Sequence, residues 1–178
     1  MTGFATTQST MPVSRLLTFL LLLSMLFPAL SDPLPLDTDH RDWRQLGEQA
    51  REQQLPIAIL VTDPDCGYCE RLKKDVLIPM ARDGRLKSLA LLRELSMDAG
   101  GKLVDFDGER IRWRIFIARY QVFAAPTLLI VDADGVPLHD PIIGYNGPDA
   151  YRDRLIQALS DGVSEMRGMQ ASSSNVNP

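Results

Sequence analysis

Cys66 and Cys69, the only two cysteines of the 178-residue sequence, stand three positions apart in the run Cys66-Gly67-Tyr68-Cys69. Two thiols at that spacing, at the mouth of a helix, can work as one redox couple. A sulfur at position 66 would face the helix's free N–H groups and the positive end of its dipole, which favour thiolate. Cys69, one turn along, could reach that sulfur and close a disulfide with little backbone movement. The expected chemistry is thiol–disulfide exchange, in which Cys66 attacks a substrate disulfide and Cys69 resolves the mixed disulfide; the reverse sequence oxidises. Other readings stand beside this one. An inert crosslink would close so short a loop that it restrains little of the unfolded chain. A structural zinc site needs further ligands, and His40 and His139 lack motif spacing. Copper held by the thiolates with Met80 or Met97 is chemically allowed, although methionines at such positions also serve as core filler.

The flanking pattern predicts what positions the pair. Asp39 to Gln54 carries Trp43, Leu46 and Ala50 at helical spacing, with Asp39 placed to cap, Asp42 three residues later and Pro56 closing the helix. Ile57 to Val61 is a continuous β-branched run, the pattern of a central strand buried on both faces. After the cysteines, Cys69, Leu72, Val76 and Met80 share a helical face, and Pro79 should kink or end that helix. Leu89 to Leu92 reads as a second strand. Ala99-Gly100-Gly101 breaks the chain, Leu103 to Arg110 is ambiguous, and Ile111 to Tyr120 reads as helix. Pro126 to Val131 and Pro137 to Tyr145 flank Asp132-Ala133-Asp134-Gly135, a hairpin signature. Pro148 suits a first helical turn, and Tyr151, Leu155 and Leu159 form the buried stripe of a last helix. Residues 161–178 are expected to be a disordered tail. The order implies an α/β domain over 37–160, a mixed sheet covered by helices.

Nineteen basic residues against 23 acidic ones leave a net charge of −4, spread without a basic stripe, so nucleic acid is not an expected partner. Leu16 to Leu30 is apolar, preceded by Arg15 and followed by small residues, which reads as a secretory signal over residues 1–31. The run is shorter than a membrane span and is interrupted by Pro28, which favours cleavage after Ser31; an uncleaved anchor is the alternative. The translation start is Met1 or Met11, and export is expected from either.

The Cys66-Gly67-Tyr68-Cys69 run after a buried strand, Ala125-Pro126-Thr127 ahead of the hairpin, and Gly144-Tyr145 ahead of the final helix together resemble the thioredoxin superfamily. The resemblance implies a thioredoxin fold, a central mixed sheet flanked by helices. It also implies a protein-disulfide oxidoreductase without metal or cofactor, and no flavin or nicotinamide motif occurs. Pro126 would be cis and lie beside Cys66, with Ala125, Pro126 and Thr127 binding substrate through an extended, strand-like contact. Gly67 and Tyr68 would tune the redox potential, and that dipeptide is similar to the one in periplasmic disulfide isomerases. Those isomerases carry a dimerisation domain for which there is little room ahead of the first helix, so a monomer is expected. Asp132 to Gly135 and Phe106-Asp107-Gly108 are similar to exported thioredoxin-like proteins, among them the periplasmic thioredoxin found with sulfur-oxidation systems. The implied role is a periplasmic reductase of disulfide-containing exported proteins, recharged by a membrane electron donor. A copper metallochaperone and a non-catalytic adaptor are the competing roles. Two departures concern tuning: Asp65 stands where thioredoxin has Trp, and Leu60 where it has a buried acid. Asp63, Asp65 and Glu70 are the candidates to take the proton of Cys69. Asp65 opposes thiolate formation at Cys66, while Arg71, Lys73 and Lys74 favour it.

Overall fold

The computed structural model describes residues 40–174, with side chains through residue 172. The expected leader, residues 1–31, and the expected cap Asp39 lie outside this range. The first helix, α1 (Trp43–Gln53), is capped instead by Asp42, whose carboxylate accepts the Gln45 N–H at 2.9 Å. Asp42 is also bridged to Val104, so the chain is still extended where the earlier cap would have required it to coil. Gln54 ends the helix with φ 55°. Gly47, in the middle of α1, lies against the Ala133 carbonyl oxygen; a Cβ there would stand well inside van der Waals contact with it.

Strand β1 (Ile57–Thr62) is buried along its whole length, as a continuous apolar run requires of a central strand. It pairs in parallel with β2 (Leu91–Ser96) and antiparallel with β5 (Thr127–Val131), which pairs antiparallel with β6 (Ile142–Ile143). The sheet order is β2-β1-β5-β6. The second strand was expected at Leu89 to Leu92. Leu89 instead closes a short helix, and all six residues of β1 find partners from Leu91 to Ser96, which carries the strand through polar Arg93 and Glu94. The ambiguous stretch and the start of the next expected helix form a separate hairpin, β3 (Lys102–Val104) with β4 (Arg110–Arg112). Its tight loop is closed by the Asp105 N–H to the Glu109 carbonyl at 2.8 Å, with Gly108 at φ 87°. Helix α5 is therefore only Trp113–Arg119. The second arm of the expected hairpin, Pro137 to Tyr145, is strand only at Ile142–Ile143, since Pro137 and Pro141 have no N–H to offer the ladder.

The alternation along β1 splits the core in two. Ala58 and Leu60 face Leu72, Met80, Leu128, Tyr151 and Leu159 on one side of the sheet. Ile57, Ile59 and Val61 face Trp43, Phe116, Leu129 and Val131 on the other. The last helix, α6 (Pro148–Ser174), begins at Pro148 and buries Tyr151, Leu155 and Leu159. It then runs on through Ser174, where a disordered tail was expected from residue 161. Buried Val163 and Met166 prolong its apolar stripe, and Gly162 lets the helix pass close to Pro56 and Ile130. Met166 thereby joins the second core although Leu159 belongs to the first. Among the described residues no helix is long and apolar enough to cross a membrane.

Candidate redox site

Strand β1 ends at Thr62, and the exposed turn Asp63-Pro64-Asp65 leads into helix α2 (Gly67–Leu72). The turn is tied by the Cys66 N–H to the Asp63 carbonyl at 3.1 Å and by the Asp65 N–H to the Asp63 carboxylate at 3.1 Å. Cys66 is the N-cap of α2, as its position ahead of the helix predicted. Its sulfur accepts the Cys69 N–H at 3.1 Å, the bond that would hold a thiolate in the reduced state. The two cysteines are joined as a disulfide, their Cα atoms 5.3 Å apart. They are not equivalent. Cys66 is half-buried, whereas Cys69 is 1% exposed, so only one sulfur can meet a macromolecular substrate.

Gly67 and Tyr68 face solvent. The Arg71 guanidinium lies 5.8 Å from the Tyr68 ring centroid, a cation held over an aromatic face beside the disulfide. On the neighbouring strand, the Val61–Thr127 pairing sets Pro126 alongside the end of β1, the strand that delivers Cys66. The Ala125–Pro126 peptide is cis. Thr127 Oγ1 donates to the Ala124 carbonyl at 2.7 Å, and the Pro126 carbonyl accepts the Gly144 N–H at 2.8 Å. Tyr145 then donates its hydroxyl to Asp75 at 2.9 Å, which ties this loop to the cysteine-bearing helix.

That helix continues without an end at Leu72. A π-helical turn, Lys73–Leu77, inserts ahead of Pro79, and α3 (Ile78–Arg82) follows before α4 (Arg85–Leu89). The expected kink at Pro79 is thus taken up by the wider turn just before it. Cys69, Leu72, Val76 and Met80 are all buried, so the widened turn preserves the predicted face.

The three acids considered as proton acceptors lie on the surface. Asp63 and Asp65 are exposed, and the Glu70 side chain is 72% exposed while it pairs with Lys73 at 2.6 Å. A buried acid on the neighbouring strand is Glu94 of β2, 8% exposed. It stands opposite Leu60, at the position where an acid was noted to be missing from β1. Its carboxylate accepts from Thr62 Oγ1 at 3.0 Å and from Lys73 Nζ at 3.2 Å. Lys73 comes one turn after Cys69, and its backbone N–H donates to the Cys69 carbonyl. Burial pulls the Lys73 pKa down, but the hydrogen bonds to Glu70 and Glu94 outweigh it and hold the ammonium above its ordinary value. Glu94 had a readable signal, a lone acid two residues after Leu92 in an apolar strand and hence on the same inward face. Its cationic partner, 21 residues away, had none.

His40 bonds the Asp42 carbonyl at 2.6 Å and His139 the Asp140 carbonyl at 2.6 Å. Among the described residues no group of three His, Cys, Asp or Glu side chains could hold a metal ion. Met80 is fully buried in the first core, and Met97 packs against the second.

Residues 45–159 match the family model described as a thioredoxin-like domain, more than half of the chain. No curated protein sequence matches. Among solved structures, the periplasmic thioredoxin SoxS from Paracoccus pantotrophus is 18% identical, with 60% of this chain and 97% of that chain covered at a TM-score of 0.43. A structure described as DsbH oxidoreductase is 17% identical over 78% of this chain and 98% of that one, TM-score 0.47. A poplar thioredoxin h is 17% identical over 64% and 85%, TM-score 0.46.

Proposed function

The chain belongs to the thioredoxin-like family and has the thioredoxin fold, and from that premise we propose that it reduces disulfide bonds in exported proteins. The observation that carries this reading is the unequal exposure of a bonded cysteine pair, one sulfur open at a helix cap and the other buried behind it. In the reduced protein the Cys66 thiolate attacks a substrate disulfide. A Cys66–substrate bond forms and the substrate's second sulfur leaves as thiolate. Cys69 loses its proton and attacks the Cys66 sulfur, forming the Cys66–Cys69 disulfide and expelling the first substrate sulfur. Two electrons pass to the substrate, whose two thiolates take up protons. A membrane electron donor returns the pair to the dithiol.

Ala125, Pro126 and Thr127, set beside the end of β1, offer the extended contact for the substrate backbone, while Gly67 and Tyr68 tune the couple. The N-terminal apolar run, Leu16 to Leu30, supports export to the periplasm. The protein acts as a monomer.

Glu94 serves as the buried acceptor of the Cys69 proton, with Lys73 holding its carboxylate in place. Glu94→Gln is expected to slow the resolving step by about a hundredfold near neutral pH. The gap should narrow as pH rises toward the ordinary thiol pKa of about 8.5, where solvent can remove the proton. A stopped-flow pH profile with the same deficit at every pH would exclude this role.

The direction of electron flow is tested by the equilibrium potential of the Cys66–Cys69 couple against glutathione, together with turnover of a protein disulfide. A reductase requires a couple more reducing than its substrates, each ~30 mV shifting the balance by about 1.4 kcal/mol. A couple more oxidising than glutathione, or no turnover from the dithiol, would overturn the assignment.

A further inference from the structure

Folding gathers cations that the sequence spreads out. Arg110, Arg112 and Arg114 alternate with Ile111 and Trp113 through β4 and the start of α5, and Lys102 opens β3. The ladder pairs Lys102 with Arg112, Leu103 with Ile111 and Val104 with Arg110, so the alternation that turns Leu103 toward the core sets Lys102, Arg110 and Arg112 on the outer side. The Trp113 N–H bonds the Gly101 carbonyl at 3.1 Å, which prolongs the ladder and carries the chain on to Arg114 at the Lys102–Arg112 end.

All four side chains are exposed, and none has an ion-pair or hydrogen-bond partner among the described residues. Like charges directly opposite each other on a ladder repel, so Lys102 against Arg112 costs the isolated fold some stability. Nearby acids do not cancel them. Asp105 is buried and bonded to Arg119, while Asp107 and Glu109 sit in the loop beyond Val104 and Arg110, at the other end of the hairpin. In a chain whose net charge is −4, an unpaired basic face points to an anionic partner.

We propose that this face docks on a membrane surface rich in anionic phospholipid, a role beyond disulfide exchange and independent of it. The guanidinium groups pair with lipid phosphates. Two observations favour lipid over an acidic protein. Ile115, next to Arg114, is 54% exposed, and cations flanking an open aliphatic side chain suit the headgroup layer, where one is paired and the other leaves water. The chain also enters the domain here: the Arg41 carbonyl accepts the Val104 N–H at 2.7 Å, and the apolar run Leu16 to Leu30 ends ten residues before His40. Ten residues span at most about 35 Å, so a leader kept in the bilayer tethers the domain at the edge of this hairpin. The cations act on the same surface with the leader kept or removed.

The test partitions the exported protein, with whatever leader it retains, onto vesicles of phosphatidylcholine alone and of equal parts phosphatidylcholine and phosphatidylglycerol. The ratio of the two partition coefficients cancels any insertion of the leader. Each cation near such a surface strengthens binding about fivefold, so wild type should favour the anionic vesicles by about a hundredfold at low salt, and far less once salt shortens the screening length. Arg110→Gln, Arg112→Gln and Arg114→Gln together should bring the ratio close to unity and leave reduction of a small disulfide unchanged. Lys102→Glu should lower the ratio about 25-fold while it gives Arg112 a cross-strand partner, so the urea midpoint holds or rises and a folding defect is not the cause. A wild-type ratio near unity, or a ratio unmoved by the triple variant, would overturn the proposal. So would tighter binding to polyglutamate than to the anionic vesicles at equal charge, which would assign the face to an acidic protein.

Discussion

Cys66→Ser is expected to lower the rate of protein-disulfide reduction by at least about a thousandfold, roughly 4 kcal/mol of barrier, because a hydroxyl cannot replace the thiolate nucleophile. Cys69→Ser should give a different defect. The half-buried Cys66 can still attack, but the 1%-exposed partner that would expel the substrate is gone. A mixed disulfide between Cys66 and substrate should therefore accumulate toward one equivalent, visible by mass on non-reducing gels. The contrast between the two variants separates nucleophile from resolving thiol. Equal and complete inactivity without an adduct from Cys69→Ser, or turnover surviving in Cys66→Ser, would contradict the assigned order.

The largest stability effect should come from Trp43→Ala. Trp43 is fully buried against Phe116, 5.0 Å between ring centroids, and Phe106, at 5.8 Å. Truncating it leaves a cavity between α1 and the sheet that the rigid surroundings cannot fill, a loss of about 3–5 kcal/mol. Against a typical total of about 5–15 kcal/mol, that is a large share of the stability. Trp43→Phe should be far milder. It keeps an aromatic ring in place and removes the buried Nε1 donor, which finds no hydrogen-bond partner among the described residues. Urea titrations of the two variants measure the difference, and similar midpoints for both would show that the ring packing carries little of the stability.

The fold is most legible in the sequence where one element's pattern is enough. The continuous run of β1, the stripe Cys69, Leu72, Val76 and Met80, and the spacing of Tyr151, Leu155 and Leu159 each specify a buried face from local order alone. Cys66 at a helix cap was legible for the same reason, since a strand, a short turn and two thiols leave few other places for it. Departures arose where distant residues decide. Leu103 and Ile111 become strands only because each supplies the other's partner across the loop between Asp105 and Glu109. The cluster of Glu94 with Thr62 and Lys73 joins two strands and a helix, and no local pattern announces it. Residues beyond Ser160 are rich in Gly and Ser, and helix prevails there because Val163 and Met166 find apolar surface to cover.

The passage of α6 beside Pro56 at Gly162 has a mechanical outcome. One continuous rod braces the layers above and below the sheet, so neither can loosen without straining the other. Loosening the aromatic layer around Trp43 is therefore expected to release first the end of α6 that Met166 anchors there.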